Sequence, residues 1–145
     1  MDFFSAMNVS SSALAAERTR MNLISSNLAN ANATRTPEGG PYKRKDAVFT
    51  ATPVENKFHR ALDGATAQQV RRVEVSEIVE DQSAPRLQYD PSNPDANPQG
   101  YVAMPNVNVV EEMADMIAAS RAYEANVTAV QAAKSMAMKT LEIGK

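Results

Sequence analysis

The chain has 145 residues, of which 43% are hydrophobic and only 6% aromatic, so it permits one ordinary domain with a thin core. Its 15 basic and 17 acidic residues give a net charge of −2 and favour neither nucleic acid nor an acidic membrane surface as a partner. The lack of Cys excludes disulfides, thiolate catalysis and zinc sites built on cysteine.

The N-terminal segment lacks the pattern of a cleavable secretory signal, because residue 2 is acidic and no basic region precedes a long apolar run. No stretch approaches the length of about 18 apolar residues that a transmembrane helix requires. The expected location is therefore the cytoplasm, unless the protein leaves by a route that uses no cleaved signal.

A first helical pattern extends from residue 3 to about residue 28. Phe3 and Ile24 lie on its apolar stripe. The other position of the coiled-coil seam is interrupted by the polar residues Ser10 and Glu17, so the N-terminal half of this helix should fray in the absence of a partner. The stripe also contains four residues spaced by seven, as in a coiled-coil seam: Met7, Leu14, Met21 and Leu28.

Asn and Thr alternate with Ala where this helix is expected to end, at residues 26–36. Asn side chains bond to nearby backbone groups and so end helices without Gly. The segment is therefore predicted to be a polar helix exit. Pro37, Gly39 and Gly40 indicate a turn-rich hinge after it.

Residues 42–101 have a period-two pattern instead. Together with the β-branched content, it predicts a small antiparallel sheet with one face exposed to solvent. Residues 57–69 are expected to form a loop, and residues 90–100, with three prolines, a chain of turns or an extended crossing segment. The alternating apolar residues are Ala47, Phe49, Ala51, Val70, Val73, Val75, Ile78, Leu87 and Tyr89.

Residues 106–145 carry the longest helical pattern, with no Pro and no Gly before Gly144. At about 1.5 Å per residue such a helix is roughly 50 Å long and needs a partner of similar length. The N-terminal helix is expected to pack against the apolar seam of this helix, and the Ala- and Met-rich remainder of its surface is expected to contact other subunits. Apolar residues recur at steps of three and four: Val109, Met113, Met116, Tyr123, Val127, Val130, Ala137 and Leu141.

These elements predict an α+β fold. Long N- and C-terminal helices, in residues 1–36 and 106–145, pair as a coiled-coil-like stem. A small β-rich insert, residues 37–105, emerges between them.

No group of residues indicates catalysis or a cofactor. A calcium loop beginning at Asn93 would have Pro98 where an EF-hand requires Gly, so turn formation is the better interpretation of residues 90–97. His59, the only His, lies in a polar loop without a Ser and carboxylate partner. No phosphate loop or paired carboxylate frame is present, so an enzyme is not expected.

Two blocks of sequence carry a family resemblance. Residues 25–45, SSNLANANATRTPEGGPYKRK, resemble the N-terminal signature of the bacterial flagellar basal-body rod proteins, with interleaved Asn and Ala ending in Thr. Residues 89–136, beginning YDPSNPDANPQGYV, are similar to the C-type proximal rod proteins nearly throughout. The usual Thr, any residue, Gly, aromatic ending is replaced by Thr34, Arg35 and Thr36 with Gly and Tyr further on, which points to the C-type.

The resemblance implies a structural subunit of the proximal rod, the drive shaft that joins the MS ring to the distal rod and hook. The terminal helices would form the inner layer of the rod and the insert its outer layer. Export would proceed through the flagellar type III apparatus without cleavage and without membrane insertion. The implied partners are other copies of the chain, the B-type and F-type proximal rod proteins, the distal rod protein and the MS-ring/rod junction protein.

The predicted assembly interface combines the two helical stripes with polar residues of the helix exit. The alternative function is a cytoplasmic coiled-coil adaptor or export chaperone, which would be a stable dimer. A rod subunit should instead be a monomer whose terminal helices order on assembly. The interface candidates are Met7, Leu14, Met21, Leu28, Asn27, Asn30, Asn32, Thr34, Val109, Met113, Met116, Tyr123, Val127, Val130 and Leu141.

Overall fold

The computed structural model describes residues 3–53 and 71–143. It confirms an α+β fold with a helix at each end and strands between them. The predicted loop at residues 57–69, with His59, lies outside the described residues. The elements are α1 (Phe3–Ala29), β1 (Lys45–Pro53), β2 (Arg71–Glu80), β3 (Arg86–Tyr89), β4 (Tyr101–Met104) and α2 (Val109–Ile143).

The two helices pack against each other along the stem in antiparallel directions. The end of α1 meets the start of α2, where Asn27 Nδ2 lies 3.0 Å from Glu112 Oε2. Because α2 extends 31 residues past Glu112 and α1 begins only 24 residues before Asn27, α2 continues past the described start of α1 by about 10 Å, at about 1.5 Å per residue.

Helix α2 begins at Val109, three residues later than the predicted start at residue 106. Asn108 caps it: its Oδ1 accepts from the Val110 N–H at 3.2 Å, and its carbonyl accepts from the Glu112 N–H at 2.9 Å. Glu111 and Glu112 in the first turn interact favourably with the helix dipole. Among the described helices, none is long and apolar enough to cross a membrane.

The predicted exit of α1 is confirmed. The helix ends at Ala29, and the Ser26 carbonyl in its last turn accepts from both the backbone N–H of Asn30, at 3.1 Å, and the Asn30 side chain, at 2.8 Å. No Gly is needed, and no residue other than Gly has a positive φ in the described chain.

The strands form two separate two-stranded antiparallel sheets, β1 with β2 and β3 with β4, rather than the single small sheet predicted. The register of the first sheet shifts between Val48 and Phe49, where Ser76 is the extra residue and its hydroxyl donates to the Val48 carbonyl at 3.1 Å. Helix α1 packs on this sheet and its Ser12 Oγ accepts from the Val73 N–H at 3.1 Å.

Residues 90–100 form the predicted chain of turns. Asp90, Asn93 and Asn97 each accept with Oδ1 from the N–H two residues further on, at 3.0–3.2 Å. Gly100 has φ 83°, and a Cβ there would lie 2.8 Å from the Tyr89 ring, so both backbone and space require Gly.

The core is thin, as the composition predicted. Most of its described apolar members are small, and two polar residues are buried with them. The buried apolar residues are Ala16, Ile24, Ala31, Val102, Val107, Ala119 and Ala133, and the buried polar residues are Asn27 and Glu112.

Candidate assembly interface

The face of α2 that packs on α1 has coiled-coil spacing, but it is not the stripe predicted from sequence. The packed positions are separated alternately by four and three residues, and they include only part of the predicted stripe. Glu112, Ala119 and Ala133 are buried. Those that are half-buried are Met116, Tyr123, Asn126, Val130 and Ala137.

The prediction that the stripe of α2 faces α1 is wrong for Val109, Met113 and Leu141, which are 45%, 55% and 71% exposed. The period was right, and Met116, Tyr123, Val130 and Ala137 do lie on the packed face, but the alternate seam positions are one residue earlier than predicted, at 112, 119, 126 and 133. The buried carboxylate of Glu112 fixes this phase, because it turns position 112 rather than position 113 toward α1.

The other predicted contact residues lie inside the stem or at its margins. Asn27 is fully buried and Asn32 is exposed. The half-buried ones are Met7, Leu14, Met21, Leu28, Asn30, Thr34, Met116, Tyr123, Val127 and Val130.

Two groups of large apolar side chains are exposed on α2. The shoulder, near the start of the helix, consists of Val109, Val110, Met113 and Ile117. The tip, at the far end, consists of Met136, Met138 and Leu141. Sequence reasoning missed the residues outside the stripe, although large apolar side chains off a seam are themselves a signal of a second contact surface.

The outward surface of α1 has the opposite character. Over residues 5–29, whose side chains the structure describes, its exposed residues recur at steps of three and four and are all polar or small. They are Asn8, Ser11, Ala15, Arg18, Asn22, Ser25 and Ala29. Of the two helices, α2 therefore carries the apolar surface that a neighbouring molecule would cover.

A buried polar cluster joins the helices to the insert at one end of the stem. We call it the joint and define it by five side chains: Asn27, Tyr42, Arg44, Asn106 and Glu112. At its centre, the Asn27 amide donates to Glu112 Oε2 at 3.0 Å and to the Lys45 carbonyl at 2.9 Å. Asn27 Oδ1 accepts from the Lys45 N–H at 3.0 Å and from the Tyr42 hydroxyl at 2.9 Å.

The charge of Glu112 is balanced by Arg44, whose Nε donates to Glu112 Oε1. Arg44 also pairs with Asp46 at 3.1 Å and with Asp115 at 3.8 Å. Desolvation opposes the positive charge of Arg44, but the hydrogen bonds to Glu112 and Asp46 outweigh it and raise the pKa of Arg44 above its ordinary value. A buried carboxylate is tolerated here because each oxygen has a donor.

Asn106 fixes the other side of the joint to the first sheet. Its Oδ1 accepts from the Arg44 N–H at 2.9 Å, just before β1, and its Nδ2 donates to the Asp81 carbonyl at 3.2 Å, just after β2. Both strands of that sheet are thus held at the base by one side chain. Within the described residues, no group of three or more His, Cys, Asp or Glu side chains could hold a metal ion.

Comparisons with known proteins agree with this architecture. The family model described as "Flagella basal body rod protein" matches residues 7–35, and that described as "Flagellar basal body rod FlgEFG protein C-terminal" matches residues 99–143. The chain is 46% identical to flagellar basal-body rod protein FlgC of Borreliella burgdorferi, over 99% of this chain and 98% of that protein. It is 45% identical to the FlgC of Bacillus subtilis and 40% identical to that of Salmonella typhimurium, over the full length of each chain.

The chain belongs to the flagellar basal-body rod protein family. It is a structural subunit of the basal-body rod and not an enzyme. Family membership favours this function over the cytoplasmic adaptor or chaperone. The two matched segments of this rod protein contain most of α1 and all of α2, and they contribute Asn27 and Glu112 to the joint from opposite sides.

The helix exit of the rod protein docks on the crossing segment. The Thr34 hydroxyl donates to Asp95 Oδ2 at 2.8 Å, and Arg35 pairs with Asp95 Oδ1 at 3.1 Å. Tyr42 N–H donates to the Ala33 carbonyl at 3.0 Å, which closes the exit into a compact loop. The signature residues at the exit therefore have an internal role beside any role in assembly.

Proposed function

We propose that the chain is a subunit of the proximal rod that transmits torque from the MS ring to the distal rod and hook. Its partners in this proposal are other copies of itself, the B-type and F-type proximal rod proteins, the distal rod protein and the MS-ring/rod junction protein. Delivery through the flagellar type III export apparatus, without a cleaved signal, is part of the same proposal.

The observation that carries the proposal is the outward surface of α2. The shoulder exposes four large apolar residues on one side of a helix, and the tip exposes three more. Burying such a side chain contributes about 1.5–3 kcal/mol, so a row of them between subunits supplies a strong contact. Contacts repeated along a shaft share the load that torque imposes.

The assignment of layers follows from this surface. In our proposal the stem, residues 1–36 and 106–145, forms the inner layer, and the insert, residues 37–105, forms the outer layer. The interface then comprises the outward residues Val109, Met113 and Leu141, with Val127 and the half-buried flank of α1 at its margin. Val110 and Ile117 extend the shoulder beyond the candidates chosen from sequence.

The test replaces two shoulder residues, Met113→Asp with Ile117→Asp, in a strain whose only copy carries the change. Assembly should fail because two carboxylates would be buried in an apolar contact. We expect swimming halos on soft agar reduced at least tenfold and basal bodies without a complete rod in electron micrographs.

The matched control is Asn22→Asp with Ser25→Asp on the outward surface of α1, which also adds two carboxylates to exposed helix positions. We expect near-parental halos from it. Circular dichroism of the purified variants checks that both keep their helix content. Normal motility in the shoulder variant, with the protein present at parental levels, would refute the proposed role of α2.

A further inference from the structure

The fully buried apolar part of the seam contains little that specifies the longitudinal alignment of the two helices, because three of the four buried apolar residues among the described side chains of α1 and α2 are Ala: Ala16, Ala119 and Ala133, beside Ile24. The Arg20–Asp115 ion pair at 3.6 Å also links the helices, but both side chains are 34% exposed and such a pair contributes little. Ala surfaces on successive helical turns are nearly alike. A shift of one heptad would therefore exchange one set of small contacts for another at little cost in packing.

The buried polar residues of the stem do specify an alignment. Asn27 is 0% exposed and Glu112 is 1% exposed, and they contact each other directly across the seam. A shift of α2 by one heptad would bring Pro105 or Ala119 opposite Asn27, and neither side chain has a hydrogen-bonding group. The Asn27 amide would lose its acceptor in a buried position, which is costly. Glu112 would lose both Asn27 and Arg44, and in the shift that brings Pro105 opposite Asn27 it would instead approach Arg20.

The same two side chains also hold the insert. Asn27 binds both the N–H and the carbonyl of Lys45 at the start of β1, and Glu112 binds the side chain of Arg44. A shifted helix pair would therefore also release the base of the first sheet. Helix alignment and attachment of the insert are set by one contact.

We propose that Asn27 and Glu112 form a register lock, which selects a single alignment of α1 against α2 and thereby fixes the base of the insert on the stem. This role lies within one subunit and goes beyond the proposed assembly contacts. A rod built from subunits of one length and one insert position requires each subunit to have such a defined alignment.

The lock can be tested by measuring distances between two spin labels in the full chain. The chain has no Cys, so Arg18→Cys on α1 and Ser135→Cys on α2 supply the only labelled sites, and both positions are exposed. The test takes the helix pair as the structure shows it in the single chain, in place of the expectation that the helices order only on assembly. Double electron–electron resonance on the parental protein should then give one narrow distance. In Asn27→Leu a second population should appear, displaced by about 10 Å, the length of one heptad at about 1.5 Å per residue.

Asn126→Leu is the matched control. Asn126 is a half-buried Asn on the seam, and its amide donates to the Ala122 carbonyl of its own helix at 2.9 Å, with no hydrogen bond to α1 among the described residues. We expect Asn126→Leu to retain the single parental distance. A second population of equal size in Asn126→Leu would refute the specific role of Asn27.

Asn27→Asp is the second variant for the distance measurement, to be used if Asn27→Leu loses its helical circular dichroism. It preserves size and keeps an acceptor for the Lys45 N–H, but it replaces the amide donor that faces Glu112 with a carboxylate. We expect the displaced distance to appear here with helix content retained. A single unchanged distance in a folded Asn27→Asp variant, or a broad distribution in the parental protein, would overturn the proposal.

Discussion

The two ends of the helix pair are held in different ways. At the joint end, Asn27 and Glu112 are buried and bind each other and the insert. At the far end, the tip of α2 exposes Met138 and Leu141, and the Thr140 hydroxyl bonds only to its own helix, at the Met136 carbonyl. Buried polar contacts thus hold the helix pair together at the joint end, and the far end remains available for contact with a neighbouring molecule.

This difference indicates a division of labour along one helix. Polar, fully partnered residues define the subunit at the joint, where a buried unpaired group would be penalised. Large apolar residues lie outward at the shoulder and at the tip, where only a neighbouring molecule can bury them. Changes at the joint should therefore alter the isolated protein, whereas changes at the tip should alter assembly.

The largest expected effect in the isolated protein comes from Glu112→Ala. It leaves the buried Asn27 amide without one acceptor, and it removes one carboxylate from the half-buried Arg44, which keeps Asp46 and Asp115. An unsatisfied buried polar group costs about 1–3 kcal/mol, so we expect a loss near the upper end of that range. Glu142→Ala is the matched control, because Glu142 is an exposed Glu on the same helix at the far end. Its effect should stay within about 0.5 kcal/mol.

Urea unfolding followed by circular dichroism measures both free energies of unfolding. Equal values for Glu112→Ala and Glu142→Ala would contradict the contrast between the two ends. A loss of motility in Glu142→Ala without loss of stability would sharpen it, because it would assign the far end to assembly alone.

A smaller effect is expected from Thr34→Val at the helix exit. The Thr34 hydroxyl donates at 2.8 Å to Asp95, 61 residues away, whereas the Thr140 hydroxyl donates at the same distance to a carbonyl four residues back. The long-range bond to a charged group should contribute about 1–2 kcal/mol. Thr140→Val should cost less than half of that, since only a local bond within an exposed helix is lost.

The same urea titrations compare this pair. If Thr140→Val destabilised the protein as much as Thr34→Val, hydrogen bonds at the far end would hold the fold as firmly as those at the joint end. That outcome would remove the distinction on which the comparison rests.

Sequence reasoning found the elements better than it found their contacts. The helix period, the Asn-based exit and the turns at residues 90–100 follow from local chemistry, and the structure confirms them. The phase of α2 does not follow, because Val109 and Met113 make a better apolar stripe than Glu112 and Ala119. Only tertiary contact with Asn27 and Arg44 makes a Glu the inward residue.

The joint was also invisible in the sequence, because its members lie far apart in the chain. Asn27 was singled out as part of a polar exit, and nothing local distinguishes its buried amide from the exposed one of Asn32. The division of the strands into two sheets has the same origin, since pairing partners are set by the path of the chain. The resemblance to rod proteins supplied the function that spacing alone did not.

The smallest effect is expected at Asp81, beside the joint, and it concerns pH. The Ser83 hydroxyl and N–H donate to Asp81 Oδ1 at 2.6 and 2.8 Å, and these bonds hold the pKa of Asp81 below its ordinary value of 3.8. A carboxyl whose pKa is lower in the folded than in the unfolded state stabilises the protein at pH values above its unfolded-state pKa. This contribution is lost as the pH falls through the lowered pKa of the folded state.

NMR titration of the Asp81 carboxyl should give a midpoint below 3.8 in the parental protein and a higher midpoint in Ser83→Ala. Identical midpoints in the two proteins would show that Ser83 does not stabilise the Asp81 carboxylate. The network of side-chain hydrogen bonds at the joint end would then end at Asn106.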